Sequence, residues 1–194
     1  QDRAGNVYAT GERSVDVGYS VLDACGEVNV SGRYSLVGNL SSAGSCLNVT
    51  ADNVTVDGNG FIINYSSSSL GYGVFSDASN VTIKNVSVRL SNPSITNAHA
   101  LYFSGSSNVS LDGVAVPPLS SGFDVRSLFL ESCDGVVVKG SEFNTIGNPV
   151  YSDIVYVESS PNVTFVDSVF NLVDGGSLVY LSGSGDANFT RNNF

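Results

Sequence analysis

The sequence predicts an all-β protein built as a single-chain parallel β-helix, a solenoid of about 5–6 coils with 24–28 residues per coil. Three observations predict it. One phrase recurs along the chain: Asn53-Val-Thr-Val-Asp-Gly, Asn80-Val-Thr-Ile-Lys-Asn, Asn108-Val-Ser-Leu-Asp-Gly, Gly135-Val-Val-Val-Lys-Gly, Asn162-Val-Thr-Phe-Val-Asp and Asp186-Ala-Asn-Phe-Thr-Arg. Apolar residues alternate with polar ones inside each copy, the period of a strand with one buried face. The linkers between copies are rich in Ser, Gly and Asn and hold no amphipathic stretch of about 10–15 residues that would make a crossover helix. Strands of successive copies must therefore pair with their equivalents, in parallel.

Residues 1–24 do not fit the repeat. They mix Arg3, Glu12, Arg13 and Asp16 with a short Val15–Val21 alternation, and are expected to form an N-terminal arm or cap. The β-helix domain is expected over 25–194. In each coil a short strand comes first: Gly73-Val-Phe-Ser, Leu101-Tyr-Phe-Ser, Leu128-Phe-Leu-Glu, Val155-Tyr-Val-Glu and Val179-Tyr-Leu-Ser. A polar turn follows, and the repeated phrase then supplies the second strand.

Like residues should stack along the axis. One inward column reads Val54, Val81, Val109, Val136, Val163, Ala187, and a second Val56, Ile83, Leu111, Val138, Phe165, Phe189. A third is expected to run Phe61, Val88, Val116, Phe143, Phe170, Phe194, and the preceding strand to add Phe75, Phe103, Leu130, Val157 and Leu181. A slip of one residue would turn each strand inside out, so such columns specify register. Outside, Asp57, Lys84, Asp112 and Lys139 alternate in sign on successive turns, and Asp167 and Arg191 repeat the complement; Glu131 above Glu158 breaks the pattern. At the turn, Asn53, Asn80, Asn108 and Asn162 share one position, where asparagine tolerates a left-handed backbone and its amides can bond along the axis.

Charge is sparse, 13% of residues against about 25% in an average protein. With 18 acidic and 8 basic residues the net charge is −10, so nucleic acid is not an expected partner. No apolar run is long enough for a membrane span. Cys25 and Cys46 flank a polar segment, and a disulfide closing it is expected. Cys133 is left over, as a small turn residue or as a covalent link to a second chain. Ten Asn-X-Ser/Thr sequons occur. Four share the turn column, and three of these, Asn53, Asn80 and Asn108, occupy successive turns about 4.8 Å apart, too close for adjacent glycans, which leaves Asn29, Asn39, Asn48, Asn64, Asn85 and Asn188 as glycosylation candidates.

Asn53-Val-Thr-Val-Asp-Gly-Asn-Gly-Phe-Ile-Ile and its copies resemble the right-handed parallel β-helix repeat of pectin-lyase-like proteins. The segment from Cys25 to Gly60 is similar to the opening of β-helix domains in archaeal cell-surface and sheath-like proteins. The resemblance spans residues 25–194 and implies the fold; this architecture serves lyases, hydrolases, adhesins and coats alike. Polygalacturonase-like sites carry paired Asp residues and a His-Gly, and neither occurs here. His99, the one histidine, reads as a loop residue. Asp57, Asp112, Lys84 and Arg89 could imitate a pectate-lyase-like calcium site, but the alternating column explains the first three. No catalytic residue, metal ligand or cofactor is therefore expected.

The expected function is a non-enzymatic extracellular structural protein at the cell surface, a sheath or filament subunit. The last turn, with Phe189, Asn192, Asn193 and Phe194, carries no cap, and would pair head-to-tail with another copy. The alternative is an adhesin or glycan-binding module using the outward rings of Tyr102, Tyr156 and Tyr180, whose simpler role is stacking within the sheet.

Overall fold

The structure, a computed structural model, describes residues 18–120, 124–146, 153–172 and 177–194. Most of the expected N-terminal arm, with Arg3, Glu12, Arg13 and Asp16, lies outside them. Strands follow one another around the coil. The first described turns contain β1 (Ser20–Leu22), β2 (Gly26–Val28), β3 (Gly32–Leu36), β4 (Leu40–Ser41), β5 (Leu47–Val49), β6 (Val54–Asp57) and β7 (Ile62–Tyr65). The middle turns contain β8 (Val74–Ser76), β9 (Thr82–Leu90), β10 (Leu101–Ser104), β11 (Ser110–Ser120), β12 (Leu128–Glu131), β13 (Val137–Lys139) and β14 (Glu142–Ile146). The last contain β15 (Val155–Glu158), β16 (Val163–Val166), β17 (Val169–Leu172), β18 (Val179–Ser182) and β19 (Ala187–Thr190). No helix occurs among the described residues.

Each named strand pairing is parallel. The larger sheet runs β1-β3-β6-β9-β11-β13-β16-β19, with β4, β7, β14 and β17 joined alongside; the smaller runs β18-β15-β12-β10-β8-β5-β2. The chain is thus an all-β parallel solenoid of about 5 turns. β1, inside the expected arm, pairs with β3 in register, and the ring of Tyr19 lies 5.9 Å from the Arg33 guanidinium and 5.8 Å from the Lys84 ammonium.

The second inward column is continuous: Val56 pairs with Ile83, Ile83 with Leu111, Leu111 with Val138, Val138 with Phe165 and Phe165 with Phe189. Two expected columns need correction. Ile63, not Phe61, lies beside Val88, because Gly58-Asn59-Gly60 puts two extra residues into that corner. Gly58 fits there only as glycine, since a Cβ would come within 2.4 Å of Val86 Cβ; Phe61 packs half-buried against the core edge. Likewise Phe75 faces outward beside Tyr102, while Ser76 lies beside Phe103. The turn from Ser76 to Asn80 is one residue shorter than that from Phe103 to Asn108. Ser76 is tolerated inside because its hydroxyl donates to Val49 O at 2.9 Å and accepts from Ala78 N at 3.1 Å.

The turn column adopts the left-handed backbone throughout, with φ of 58° at Asn53 and Asn80, 56° at Asn108 and Asn162, and 66° at Gly135. Asn108 Nδ2 donates to Asn80 Oδ1 at 3.2 Å. Gly135 offers no amide, so Asn162 Nδ2 reaches the neighbouring Asp134 Oδ1 at 2.9 Å. Cys25 and Cys46 are disulfide-bonded, with Cα atoms 4.5 Å apart; they precede β2 and β5, which pair in register.

Cys133 is fully buried. It occupies a corner column with Ser160 and Ser184, each four residues after an outward aromatic on adjacent strands. Its thiol donates to Phe103 O and Glu131 O, as Ser184 Oγ donates to Val157 O and Ser182 O. Its own N–H donates to Ser160 Oγ at 2.9 Å. Burial also pushes the thiol pKa up, so the expected alternative of a link to a second chain lacks both an accessible sulfur and a thiolate.

Candidate functional site

The smaller sheet presents one outward position per strand that is aromatic over five consecutive strands. Phe75 pairs with Tyr102, Tyr102 with Phe129, Phe129 with Tyr156 and Tyr156 with Tyr180. Alternation along each strand forces this, since Val74, Leu101, Leu128 and Val155 on one side and Ser76, Phe103, Leu130 and Val157 on the other point into the core. Ring centroids are separated by 5.3, 4.8, 5.3 and 4.9 Å along the column, close to the strand spacing. Stacked and edge-on contacts alternate: Tyr102 on Phe129 is tilted by 9°, Phe129 against Tyr156 by 89°. Tyr180 is the most open of these rings, 43% exposed. Sequence reasoning singled out Tyr102, Tyr156 and Tyr180 and missed Phe75 and Phe129, which make the column continuous.

Two positions further along each strand lies a polar column, in which Ser104, Glu131, Glu158 and Ser182 pair in succession. Glu131 therefore sits directly beside Glu158, the one like-charged pairing the alternation left unexplained. The structure supplies the reason. Glu131 turns back to the preceding strand, where Tyr102 Oη and Ser104 Oγ both donate to its Oε2, the latter at 3.1 Å.

Three residues before each aromatic lies a third column of Tyr72, His99, Arg126 and Asp153. His99 lies in the loop before β10, as expected, but it is buried there. It is 5% exposed, lies parallel to Tyr72 with ring centres 5.8 Å apart, and meets Phe129 and Tyr102 edge-on. Burial, followed by the Arg126 charge, pulls its pKa down to about 3, so the ring is uncharged near neutrality. The Arg126 guanidinium lies 4.8 Å from the Phe129 ring centre and 4.2 Å from that of Tyr156, and its Nη2 is 2.7 Å from Asp124 Oδ1. His99 Nδ1 and Arg126 Nε are buried without a hydrogen-bond partner. Burial first, then the Glu131 carboxylate, pushes the Tyr102 phenol up to about 12.

The remaining sequence candidates fall elsewhere. Asp57, Lys84, Asp112 and Lys139 form one column on the larger sheet. Lys84 pairs with Asp57 at 2.9 Å. Burial raises the Asp57 pKa, but hydrogen bonds from Lys84, Asn59 N and Asn85 outweigh it and hold the carboxyl below its usual range. Asp167 and Arg191 form a two-pronged pair at 2.6 and 2.8 Å. Asn29, Asn39, Asn85 and Asn188 are exposed; Asn48 and Asn64 are half-buried, and Asn64 Nδ2 donates to Leu40 O at 3.3 Å. Phe189 and Phe194 stack on Phe165 and Phe170, Asn192 bonds to Ser168 N and Phe165 O, and Asn193 joins Phe170 and Ser168 through its backbone. A shallow groove of about 480 Å³ runs past Asn59, Asn85, Ser87 and Gly113 on the larger sheet and contains no ionisable group. Among the described residues no three His, Cys, Asp or Glu side chains are grouped to hold a metal ion.

No family model matches the sequence, and no curated protein matches it. Among solved structures the chain is similar to a putative glycosyl hydrolase from Parabacteroides merdae, with a TM-score of 0.58 and 14% identity over 87% of this chain and 82% of the other. At that identity the likeness speaks for the fold. It nonetheless corrects the expectation of a non-enzymatic, self-assembling surface or sheath subunit, because the similar solenoid belongs to a protein named as an enzyme. The fold gives no ground for excluding catalysis from this chain.

Proposed function

We propose that the chain is a glycan-acting β-solenoid, a glycoside hydrolase whose working face is the outer surface of the smaller sheet. The observation that carries this reading is the aromatic column of Phe75, Tyr102, Phe129, Tyr156 and Tyr180 with Glu131 and Glu158 alongside it. A pyranose ring has an apolar C–H face that an aromatic side chain can cover, and hydroxyls at its rim that carboxylates and Arg126 can bind. Hydrolysis of a glycosidic bond needs two carboxyl groups beside it, and the adjoining column contains two. The fold likeness to a protein named as a putative glycosyl hydrolase supports the same substrate class.

The finer assignment to pectin-lyase-like β-helices belongs to this proposal and rests on the repeat around Asn53. So does an extracellular location, which the Cys25–Cys46 disulfide supports. The test is incubation of the full chain with soluble β-1,3-glucan, xylan, galactan and homogalacturonan, measuring new reducing ends. Release from one of them that falls to background in Glu158→Gln is the expected result. Binding without release would reduce the reading to a glycan-binding surface, and neither binding nor release would overturn it.

A further inference from the structure

The two sheets differ in how their charge is distributed. None of the smaller sheet's strands, β2, β5, β8, β10, β12, β15 and β18, contains a Lys or Arg, whereas Arg33, Lys84, Arg89 and Lys139 all lie in strands of the larger one. Beside the aromatic column the cation is Arg126, just before β12, and its charge is already engaged. Its Nη2 is 2.7 Å from Asp124 Oδ1, and the guanidinium lies over the Phe129 and Tyr156 rings.

Three carboxylates flank those rings without a cation. Glu131 and Glu158 lie on one side, in the column with Ser104 and Ser182, and Asp153 lies on the other, in the column with His99 and Arg126. All three are half-buried, and among the described residues none of them forms an ion pair. Glu131 accepts from Tyr102 Oη and Ser104 Oγ, and Asp153 Oδ1 accepts from Ser177 N at 2.9 Å; these neutral donors leave the charge uncompensated. The neighbouring phenols respond to it. Burial first, then the hydrogen bond to Glu131, pushes Tyr102 up to about 12, and burial first, then Glu158, pushes Tyr156 up. Behind the rings His99, 5% exposed, keeps Nδ1 without a hydrogen-bond partner. The face therefore has polar capacity, beyond its carboxylates, that its own side chains do not use.

Resting on the hydrolase reading above, we infer that this face selects its glycan by charge, binding a polymer of free amino sugars in preference to its neutral N-acetylated counterpart and rejecting polyuronates. A glycan extended along the ring column crosses the strands and passes between Asp153 on one side and Glu131 and Glu158 on the other. Ammonium groups on its sugars can donate charge-assisted hydrogen bonds to these carboxylates, whereas an acetamido group donates only a neutral one. A uronate would bring further carboxylates against them, and like charges across an interface suppress such a partner. The net charge of −10 on the whole chain acts in the same sense. Of the four polysaccharides in the hydrolysis assay, homogalacturonan is the one that should not be cleaved.

The experiment is surface plasmon resonance on the immobilised full chain with three hexamers, β-1,4-linked glucosamine, its N-acetylated form and oligogalacturonate, at a mildly acidic pH where the amines are protonated. The glucosamine hexamer should bind about 10-fold more tightly than the N-acetylated one, the combined effect of partly exposed ion pairs each worth a few-fold. Oligogalacturonate should bind most weakly. The preference for the amine should shrink as salt is raised. Asp153→Asn and Glu158→Gln should each reduce it by about 2–5-fold, while Asp112→Asn on the larger sheet should leave it unchanged. Oligogalacturonate binding as tightly as the N-acetylated hexamer, or glucosamine binding no more tightly than it, would overturn this inference and leave the hydrolase reading standing. A preference untouched by Asp153→Asn and Glu158→Gln, or reduced as much by Asp112→Asn, would also overturn it, since the net charge of the chain would then account for the binding. Absence of binding by all three hexamers would overturn it as well, and together with no release from any of the four polysaccharides would remove the hydrolase reading too.

Discussion

His99 makes the stability of this protein depend on pH in a window where its carboxylates do not. The side chain is 5% exposed among Tyr72, Tyr102, Phe129 and Arg126, and its pKa is about 3 against 6.5 in an unfolded chain. A depressed histidine is neutral when folded, while the unfolded chain takes up a proton as pH falls through 6.5. Stability is therefore fully present above that value and declines continuously down to about pH 3. Between pH 7 and pH 5 the loss is about 2 kcal/mol by linkage, at 1.36 kcal/mol per pH unit below the unfolded pKa. Asp57, held down chiefly by Lys84, and Asp167, held down by Arg191, also lose their contributions on acidification. They do so only near and below the ordinary aspartate pKa of 3.8, outside this window. The assay is urea unfolding at pH 7, 6 and 5 for the native chain and for His99→Phe, which keeps a ring against Tyr72 but cannot protonate. The native chain should lose about 2 kcal/mol more than the variant across that range. Equal losses in the two proteins would refute the reasoning.

Other perturbations test the stacking directly. Reducing the Cys25–Cys46 bond, 21 residues apart in sequence, should cost about 3 kcal/mol of unfolding free energy, read as a lower midpoint in denaturant with added reductant. Phe165→Ala removes a buried ring that stacks on Phe189 and meets Phe170 edge-on; about 3–5 kcal/mol should be lost in thermal or chemical unfolding. Ser160→Ala leaves the buried Cys133 N–H without its acceptor and should cost about 1–3 kcal/mol. Cys133→Ser, which keeps both hydrogen bonds of the corner column, should change stability by less than about 1 kcal/mol.

The columns at Val54 and Val56 were legible in the sequence because period-2 alternation and near-constant coil length specify the same register independently. Legibility failed where a corner changed length. The extra residues at Gly58-Asn59-Gly60 displaced Phe61, and the shorter turn after Ser76 turned Phe75 outward. Both shifts follow local backbone geometry, which the repeat period averages away. The candidate site was legible only in part. Tyr102, Tyr156 and Tyr180 stood out as outward rings, but the continuity of the column depended on the corrected position of Phe75. His99 read as a loop residue beside Asn97 and Ala98, and its burial was not legible because the rings around it, Tyr72, Tyr102 and Phe129, come from three successive coils. The Glu131–Glu158 pairing was visible as an exception, and its reason lay in hydroxyls on an adjacent strand.

Hydrogen–deuterium exchange of the full chain, with and without oligosaccharide from the polysaccharide it cleaves, tests the assignment of the working face most directly. Using Glu158→Gln to prevent turnover, protection should concentrate in Leu101–Ser104, Leu128–Glu131, Val155–Glu158 and Val179–Ser182. Protection confined to the larger sheet, at Val54–Asp57, Thr82–Leu90 and Val137–Lys139, would contradict it.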